Sequence, residues 1–189
     1  MNCINFGNKV NMLKQFREKD ILITGHTGFK GSWLSAWLHL LGANVFGISL
    51  GSPPSIPSHY DVAGFSKIVN DQRIDIRTSD ELVECINDIK PDFVFHLAAQ
   101  ALVRQSYENP LETYQTNTLG TLNLLEALRK LNNKCTAVLI TSDKCYDNVE
   151  WVWGYREADS LGGPDPYSAS KGAAELVIRS HVKSFFPVD

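Results

Sequence analysis

A tyrosine and a lysine near the end of the 189-residue sequence have the residue types and the spacing of a proton-transfer pair. Tyr167 and Lys171 lie four residues apart in the segment YSASK, and side chains with this spacing project from the same face of a helix. A phenol that acts as a base near neutral pH needs help, because its unperturbed pKa is ~10. A neighbouring ammonium group supplies that help by favouring the phenolate. The alternative is an exposed helix pair without any catalytic role.

Polar residues also follow an apolar run upstream of this pair. Thr136 to Ile140 reads TAVLI, and Thr141, Ser142, Asp143 and Lys144 come directly after it. A hydroxyl at a strand end can hydrogen-bond a substrate hydroxyl, and an adjacent carboxylate and ammonium group can exchange protons with a substrate. The alternative for the two hydroxyl residues is a capping or turn role.

Three glycines, Gly25, Gly28 and Gly31, recur every three residues in GHTGFKGSW. They follow the apolar run Ile21 to Thr24 and precede a helical pattern, which is the context of a dinucleotide-binding turn. Glycines let the backbone approach a pyrophosphate, and the free N–H groups of a helix start point at its charge. A tight strand-to-helix turn without a ligand is the alternative.

Lys30 stands immediately before the last of these glycines, at a helix start where the macrodipole disfavours a cation. A bound anion would account for a lysine at this position. We therefore predict that Lys30 reaches toward a cofactor pyrophosphate or the mouth of the site. The alternative is that its ammonium group extends into solvent.

The composition is that of an ordinary globular chain that binds a small molecule. Hydrophobic residues make up 43% of the chain, charged residues 21%, and the formal net charge is -3, which argues against a nucleic-acid or anionic-membrane surface. The four cysteines form neither a CxxC motif nor a Cys/His cluster, so we expect reduced thiols and no zinc site. The N-terminal segment has no apolar core of a signal peptide, and no apolar stretch is long enough to span a membrane.

The elements that must position these residues alternate between strands and helices. We predict strands at Ile21 to Thr24, Val45 to Leu50, Asp92 to Ala98 and Thr136 to Ile140, with a weaker strand before Asp75. We predict helices at Phe29 to Gly42, Ser79 to Lys90, about Leu111 to Lys130, and from Pro166 toward Phe186. Residues 51–58 (GSPPSIPS) form a loop by their prolines. Alternation of this kind predicts a parallel sheet covered by helices, with ligands at the carboxyl ends of its strands.

The glycine spacing and the Tyr-x-x-x-Lys pair resemble the extended short-chain dehydrogenase/reductase superfamily, which implies a Rossmann-like, doubly wound α/β fold. Ser142, Tyr167 and Lys171 resemble its catalytic triad, and His96 to Gln100 (HLAAQ) resembles its fourth-strand motif. The resemblance implies an NAD cofactor, held by Gly25, Thr27, Gly28, Phe29, Lys30, Gly31, Asp75, Ile76, Leu97, Ala98, Ala99, Asn117, Tyr167 and Lys171. Among these residues, Asp75 resembles the adenine-contacting aspartate and Asn117 the structural asparagine.

One position departs from the superfamily pattern. An acidic residue at the end of the second strand normally holds the adenosine ribose, whereas here this strand ends in Ser49, Leu50, Gly51 and Ser52. The sequence offers no arginine there to receive a 2'-phosphate either. The choice between NAD and NADP is therefore not decided by the sequence.

TSDKCYDN, WVWGYRE, GGPDPYSASKG and GHTGFKGSWL together closely resemble the CDP-glucose 4,6-dehydratases, with further support from FHLAAQ and LVRQSYE. The resemblance implies conversion of CDP-glucose to CDP-4-keto-6-deoxyglucose, a deoxysugar precursor of bacterial surface polysaccharide. In that reaction Tyr167 takes the C4 hydroxyl proton as a hydride passes to NAD+. Lys144 removes the C5 proton, Asp143 protonates the departing C6 hydroxyl, and the hydride returns to C6. The division of acid and base roles between Asp143 and Lys144 stays open.

The resemblance begins at about Asp20, so we expect an N-terminal extension at 1–19 and an NAD(P)-binding domain at 20–189. In this superfamily the chain continues into a smaller substrate-binding domain, which implies that these residues lack most of the substrate pocket. The alternatives are therefore another NAD-dependent nucleotide-sugar epimerase or dehydratase, or a dinucleotide-binding fragment without activity. From the thiols, the charge and the N-terminal segment we expect a cytoplasmic protein with no metal, nucleic-acid or membrane partner. The resemblance also implies a homodimer, formed through a four-helix bundle of the helices at 111–130 and 167–186. The alternative is that the apolar faces of these helices only cover the sheet.

Overall fold

The computed structural model describes residues 13–51, 53 and 55–186. Within this part of the chain the strands are β1 (Asp20–Thr24), β2 (Asn44–Ser49), β3 (Asn70–Arg73), β4 (Phe93–His96) and β5 (Thr136–Leu139). The α-helices are α1 (Phe29–Leu40), α2 (His59–Val62), α3 (Ser79–Ile89), α4 (Val103–Glu108), α5 (Pro110–Tyr114), α6 (Gly120–Arg129) and α7 (Pro166–Phe185). No helix among these residues is both long and apolar enough to cross a bilayer.

The five strands form one sheet in the order β3-β2-β1-β4-β5. β1 pairs in parallel with β2 on one side and with β4 on the other, so that Ile21 lies opposite both Val45 and Phe93. The chain order therefore reverses between β1 and β4, which is the point where open sheets of this type bind ligands. The predicted Rossmann-like parallel sheet is confirmed.

β1 is the centre of this sheet because its side chains are apolar on both faces. Ile21, Leu22 and Ile23 have no exposed surface, as expected for a strand covered on both sides. Ile21 and Ile23 form one buried cluster with Leu38 of α1 and Tyr60 of α2. Its packing fixes where β1 ends, and with it where the glycine turn begins.

The described residues divide into two compact units. The first comprises the residues up to Arg73 with Ile89–Leu97 and Asn133–Val138, and the second comprises Ile74–Asp88, Ala98–Asn132 and the residues from Leu139 onward. The first unit contains the sheet apart from the last residue of β5, together with the glycine turn, whereas the second contains α3 apart from its last residue and α4 to α7. The expectation of one domain at 20–189 after an extension stays a prediction.

The predicted helix at 111–130 contains a local change of helical pitch. α5 continues into a π-helical turn, Gln115–Leu119, and then into α6. Such turns are rare and are frequently found at functional sites. Asn117 lies in this turn and is only 1% exposed, so its side chain points into the second unit rather than into solvent.

α7 begins at the predicted residue because Asp165 and Pro166 meet the hydrogen-bonding needs of the helix N-terminus. The Asp165 carboxylate accepts hydrogen bonds from the Ser168 backbone N–H, at 3.0 Å, and from the Ser168 hydroxyl, at 2.6 Å. Pro166 occupies the first helical position, where its missing N–H costs nothing. This cap fixes the start of the helix one residue before Tyr167.

Candidate active site

The glycine turn of the first unit exposes the start of α1. Gly25 has a φ of +76°, a conformation that favours glycine, and its N–H donates to the Ile48 carbonyl at 2.7 Å. Gly28 is the N-cap of α1 and makes no side-chain cap bond. Backbone N–H groups at the start of α1 are therefore without a side-chain acceptor, which is the arrangement that binds anions at helix starts.

Gly31 allows the turn to close on itself. A Cβ at this position would overlap the Gly25 carbonyl oxygen and would lie 2.7 Å from the Cα of His26. Because both neighbours are backbone atoms, no side-chain rotation can relieve the overlap. The last glycine of the motif is therefore required by close backbone approach.

Lys30 and Phe29 are exposed on the first turn of α1. With Trp33, Trp37 and Leu40 they line an open apolar groove along one side of this helix. The exposure of Lys30 agrees with either sequence interpretation, a contact to a bound anion or extension into solvent.

An arginine from the neighbouring strand β3 lies beside the end of β2, although the residues that end β2 include no arginine. Arg73 ends β3, which pairs with β2 so that Arg73 lies opposite Ser49. Its guanidinium group donates to the Ser49 hydroxyl at 3.2 Å and to the Leu50 carbonyl at 2.9 Å. An ion pair with Asp71 compensates its charge, so Arg73 is not a free cation for a 2'-phosphate.

His26, inside the glycine motif, received no role from the sequence. Its side chain is fully buried, its Nε2 lies 3.1 Å from an Asp71 carboxylate oxygen, and its ring meets the Tyr60 ring edge-on at 5.1 Å. Burial lowers the pKa of His26, and Asp71 opposes this effect. The residue therefore connects the glycine turn to the end of the sheet that carries Arg73.

Asp75 and Ile76 lie in the second unit. The Asp75 carboxylate accepts hydrogen bonds from the Arg77 backbone N–H at 2.9 Å and from the Arg77 guanidinium group at 2.6 Å. These hydrogen bonds lower the pKa of Asp75. Ile76 is buried, and its carbonyl accepts from the Asn123 amide at 3.0 Å. The segment is thus held firmly enough to present Asp75 in one orientation.

Asn117 joins the loop after β4 to α7. Its amide oxygen accepts from the Gln100 N–H at 2.8 Å, and its amide nitrogen donates to the Gln100 carbonyl at 3.0 Å and to the Ser170 hydroxyl at 2.9 Å. Ala98 and Ala99, which precede Gln100, are half-buried. The π turn places Asn117 at the junction of these elements, so the asparagine has a structural role.

Tyr167 and Lys171 lie one turn apart on α7 and are 9% and 6% exposed. The Tyr167 backbone N–H donates to the Ser106 hydroxyl of α4 at 3.2 Å. Burial lowers the pKa of Lys171 to about 8, and the negative charge of Glu175 partly offsets this effect. The pair is therefore a buried one, unlike the exposed helix pair that was the alternative interpretation.

Ser142 follows β5 and caps the short turn Asp143–Cys145. Its hydroxyl oxygen accepts from the Lys144 N–H at 3.1 Å, and the hydroxyl donates to an Asp143 carboxylate oxygen at 3.0 Å. The turn packs against α7. Ser142 thus caps this turn, which was the alternative to a catalytic role, and its catalytic role stays a prediction.

Asp143 and Lys144 are both exposed. A lysine serves as a base more readily when it is buried or lies beside another cation, and neither Asp143 nor Lys144 is buried in this structure. Their position after β5 does place them in the same unit as Tyr167 and Lys171.

The loop that follows this turn is rich in aromatic residues. Tyr146 and Tyr155 stack with their ring centroids 5.4 Å apart, and Trp151 lies 5.7 Å from Tyr155. The Tyr155 hydroxyl donates to the Asn148 amide oxygen at 2.9 Å. Trp153 at the tip is exposed, so the loop presents an ordered aromatic surface.

The predicted site residues fall into the two units. The first contains Gly25, Thr27, Gly28, Phe29, Lys30, Gly31 and Leu97. The second contains Asp75, Ile76, Ala98, Ala99, Asn117, Ser142, Asp143, Lys144, Tyr167 and Lys171. The first unit therefore contains the glycine turn, and the second contains the predicted catalytic residues together with the other predicted cofactor-binding residues.

The chain is similar to known nucleotide-sugar enzymes. The family model described as GDP-mannose 4,6 dehydratase matches residues 22–186. A CDP-glucose 4,6-dehydratase from Salmonella typhimurium is 52% identical over 168 residues, which are 89% of this chain and 46% of the relative. A CDP-paratose 2-epimerase from Salmonella typhi is 30% identical over 182 residues, covering 87% of this chain and 53% of the relative.

A solved structure gives the same fold. An epimerase from Methanothermobacter thermautotrophicus superposes with a TM-score of 0.80 at 26% identity, over 96% of this chain and 53% of that one. The chain spans about half the length of the curated relatives it matches.

Proposed function

Because the chain belongs to the GDP-mannose 4,6-dehydratase family, we propose that it is the cofactor-binding part of a CDP-glucose 4,6-dehydratase, a hydro-lyase that forms CDP-4-keto-6-deoxyglucose. The observation that carries this proposal is the 52% identity to a CDP-glucose 4,6-dehydratase, against 30% to a CDP-paratose 2-epimerase. The buried Tyr167 and Lys171 pair supports it independently, since a buried lysine one turn from a tyrosine suits proton transfer.

We propose NAD as the cofactor, and two observations fit a dinucleotide at the glycine turn. α1 lacks a side-chain cap, and a Cβ at Gly31 would overlap the backbone of the turn. Gly25, Thr27, Gly28 and Gly31 would hold the pyrophosphate. The compensated charge of Arg73 favours NAD over NADP.

A bound NAD+ would supply the hydride acceptor for C4 oxidation, and its reduced form would supply the hydride donor for C6. The Tyr167 phenolate, which the Lys171 ammonium stabilises, takes the proton of the C4 hydroxyl and becomes a neutral phenol. Ser142 positions the C4 oxygen through its hydroxyl. These three residues account for oxidation, which an epimerase also performs.

Asp143 and Lys144 account for the step that distinguishes a dehydratase. Loss of water across C5 and C6 requires one group that removes the C5 proton and one that protonates the leaving hydroxyl. We assign these roles to Lys144 and Asp143 as a pair. Both are exposed, so the substrate would reach them from solvent.

The assignment of the nucleotide is tested by offering the purified protein CDP-glucose, UDP-glucose and GDP-mannose with NAD+. We expect conversion of CDP-glucose. Conversion of the UDP or GDP sugar without CDP-glucose would favour another nucleotide-sugar epimerase or dehydratase. Cofactor binding without turnover of any sugar would favour the dinucleotide-binding fragment.

We predict that Lys30→Ala weakens NAD+ binding and makes its salt dependence shallower. Loss of a charge-assisted contact to the pyrophosphate should cost about 1–2 kcal/mol, which is roughly five- to thirtyfold in the dissociation constant. Calorimetric titration at several salt concentrations measures both effects. Lys67→Ala removes another exposed lysine of the first unit and serves as the control, whereas Gly31→Ala should weaken binding through its backbone overlap. If Lys30→Ala and the parent chain bind NAD+ with equal affinity, the prediction is wrong and the Lys30 ammonium group extends into solvent.

We also propose a cytoplasmic homodimer, formed through the helical path from α5 to α6 and through α7. Support comes from large apolar side chains that are exposed on these helices, namely Leu111, Leu119, Leu176, Val182 and Phe185. Such side chains suit a partner surface better than solvent. Sedimentation velocity at micromolar concentration should give a dimer, and a single monomer peak would contradict it.

A further inference from the structure

Glu175 connects the two elements that carry the proposed triad. The Thr141 hydroxyl, next to Ser142 at the end of β5, donates a short hydrogen bond to a Glu175 carboxylate oxygen. Glu175 lies on α7 one turn after Lys171, and both partners of the hydrogen bond are half-buried. The bond therefore ties the segment that bears Ser142 to the helix that bears Tyr167 and Lys171.

Glu175 is also the charged group that acts on Lys171. Burial lowers the pKa of Lys171, and the Glu175 carboxylate opposes that effect. The same carboxylate raises the pKa of the Cys145 thiol, in addition to burial. Cys145 lies in the turn that packs against α7. The negative charge of Glu175 thus acts on both Lys171 and Cys145.

The other elements packed against α7 offer little charge near Lys171. In the turn after β5, Asp143 and Lys144 are exposed. α6 contributes Glu126, but that carboxylate pairs with His181 at 3.1 Å, more than two turns beyond Lys171. α4 carries Arg104 and Glu108, which pair with each other at 3.6 Å. α5 carries Glu112, whose carboxylate lies 3.5 Å from the Arg77 guanidinium group. The hydrogen bonds from α4 and the π turn to α7 use uncharged groups, the Ser106 hydroxyl and the Asn117 amide.

We propose that Glu175 is a positioning residue of the Ser142–Tyr167–Lys171 triad, holding Thr141 beside α7 and placing a negative charge one turn from the Lys171 ammonium. This inference rests on the proposed function. Glu175 itself does not touch the substrate. The hydrogen bond sets where Ser142 lies relative to Tyr167, and the charge sets the pH range over which Lys171 stays protonated.

Two substitutions separate the contributions. Glu175→Gln keeps an acceptor oxygen for Thr141 and removes the charge, whereas Thr141→Val removes the donor and keeps the charge. The Lys171 ammonium can be followed directly in the 189-residue chain by NMR titration of 13C-labelled lysine, with the resonance assigned by its absence in Lys171→Met. This measurement needs no turnover, so it is independent of the proposed function.

We expect Glu175→Gln to lower the midpoint of the Lys171 titration by about one pH unit, the low end of the range for loss of an opposite charge. Glu175→Asp should restore the midpoint toward that of the parent chain. Glu84→Gln, which removes an exposed carboxylate from α3, should leave it unchanged. Equal midpoints in Glu175→Gln and the parent chain would overturn the electrostatic part of the proposal.

In the pH profile of kcat, the alkaline limb of Glu175→Gln should move to lower pH by about one unit, the shift expected for the Lys171 midpoint. Thr141→Val should lower kcat by about tenfold through misplacement of Ser142, without moving that limb or changing KM. A Thr141→Val enzyme with the kcat of the parent would overturn the positioning role. If no variant and no parent enzyme turns over, the proposed function fails, while the NMR result still decides whether Glu175 acts on Lys171.

Discussion

Asp143→Asn and Lys144→Met should each abolish water elimination while NAD+ binding is retained. General acid–base groups contribute roughly 10²- to 10⁴-fold to a rate, so we expect formation of the 4-keto-6-deoxy product to fall by about that factor. Both side chains are exposed, so their replacement removes chemistry without leaving a buried cavity. Steady-state assay of the product measures the loss, and titration with NAD+ measures retained binding.

The oxidation half-reaction separates these residues from the triad. In a single turnover, Asp143→Asn and Lys144→Met should still reduce the cofactor, seen as a rise in absorbance at the nicotinamide band, because Tyr167 and Lys171 are intact. Tyr167→Phe should show no such rise, and it serves as the matched control on the same reaction. If neither Asp143→Asn nor Lys144→Met slows product formation, the acid–base pair is assigned to the wrong residues.

Lys171→Met should stabilise the fold at neutral pH and remove activity. Lys171 is almost fully buried, and burial lowers its pKa from 10.5 to about 8. At pH 7 the Lys171 ammonium group of the folded chain is therefore charged and shielded from water. This lowers the free energy of unfolding by about 3 kcal/mol at most. Methionine fills a similar volume without that cost. We expect the free energy of unfolding in urea to rise by about 1–3 kcal/mol, with an unchanged denaturant slope.

The pH dependence provides the internal control for this prediction. Because the pKa of Lys171 is lower in the folded than in the unfolded chain, the unfolded chain binds more protons between about pH 8 and 10.5. The stability of the parent chain should therefore rise with pH through this interval, and the advantage of Lys171→Met should shrink. A destabilised Lys171→Met protein, or a parent whose stability is flat over this range, would contradict the buried position of the ammonium group.

The sequence predicts the main elements of the fold because each has an unbroken apolar pattern. Ile21 to Thr24 was the predicted first strand, and β1 is Asp20–Thr24; the helix predicted from Pro166 is α7, Pro166–Phe185. The short helices α2 and α4 were not predicted, since six residues or fewer give no clear periodicity. The π turn at Asn117 was missed because one extra residue in a helical turn leaves the apolar pattern nearly unchanged.

The candidate site shows what spacing alone cannot provide. The motifs identify Tyr167 and Lys171, but their burial depends on packing by α4, α5 and the turn after β5. Arg73 was missed because its place beside Ser49 depends on the register between β2 and β3. The bond between Thr141 and Glu175 joins residues 34 positions apart, and no local pattern reports such a contact. The one available signal was the spacing of Glu175 from Lys171, four residues along the same helix.

The proposed function depends on one reaction, in which a hydride leaves C4 and returns to C6 of the same sugar. CDP-glucose labelled with deuterium at C4, incubated with the purified protein and NAD+, tests it most directly. We expect CDP-4-keto-6-deoxyglucose, lighter than the substrate by one water and carrying the deuterium at C6, as read by mass spectrometry and NMR. Recovery of the C4 epimer with no loss of water, or of a product without deuterium at C6, would contradict it.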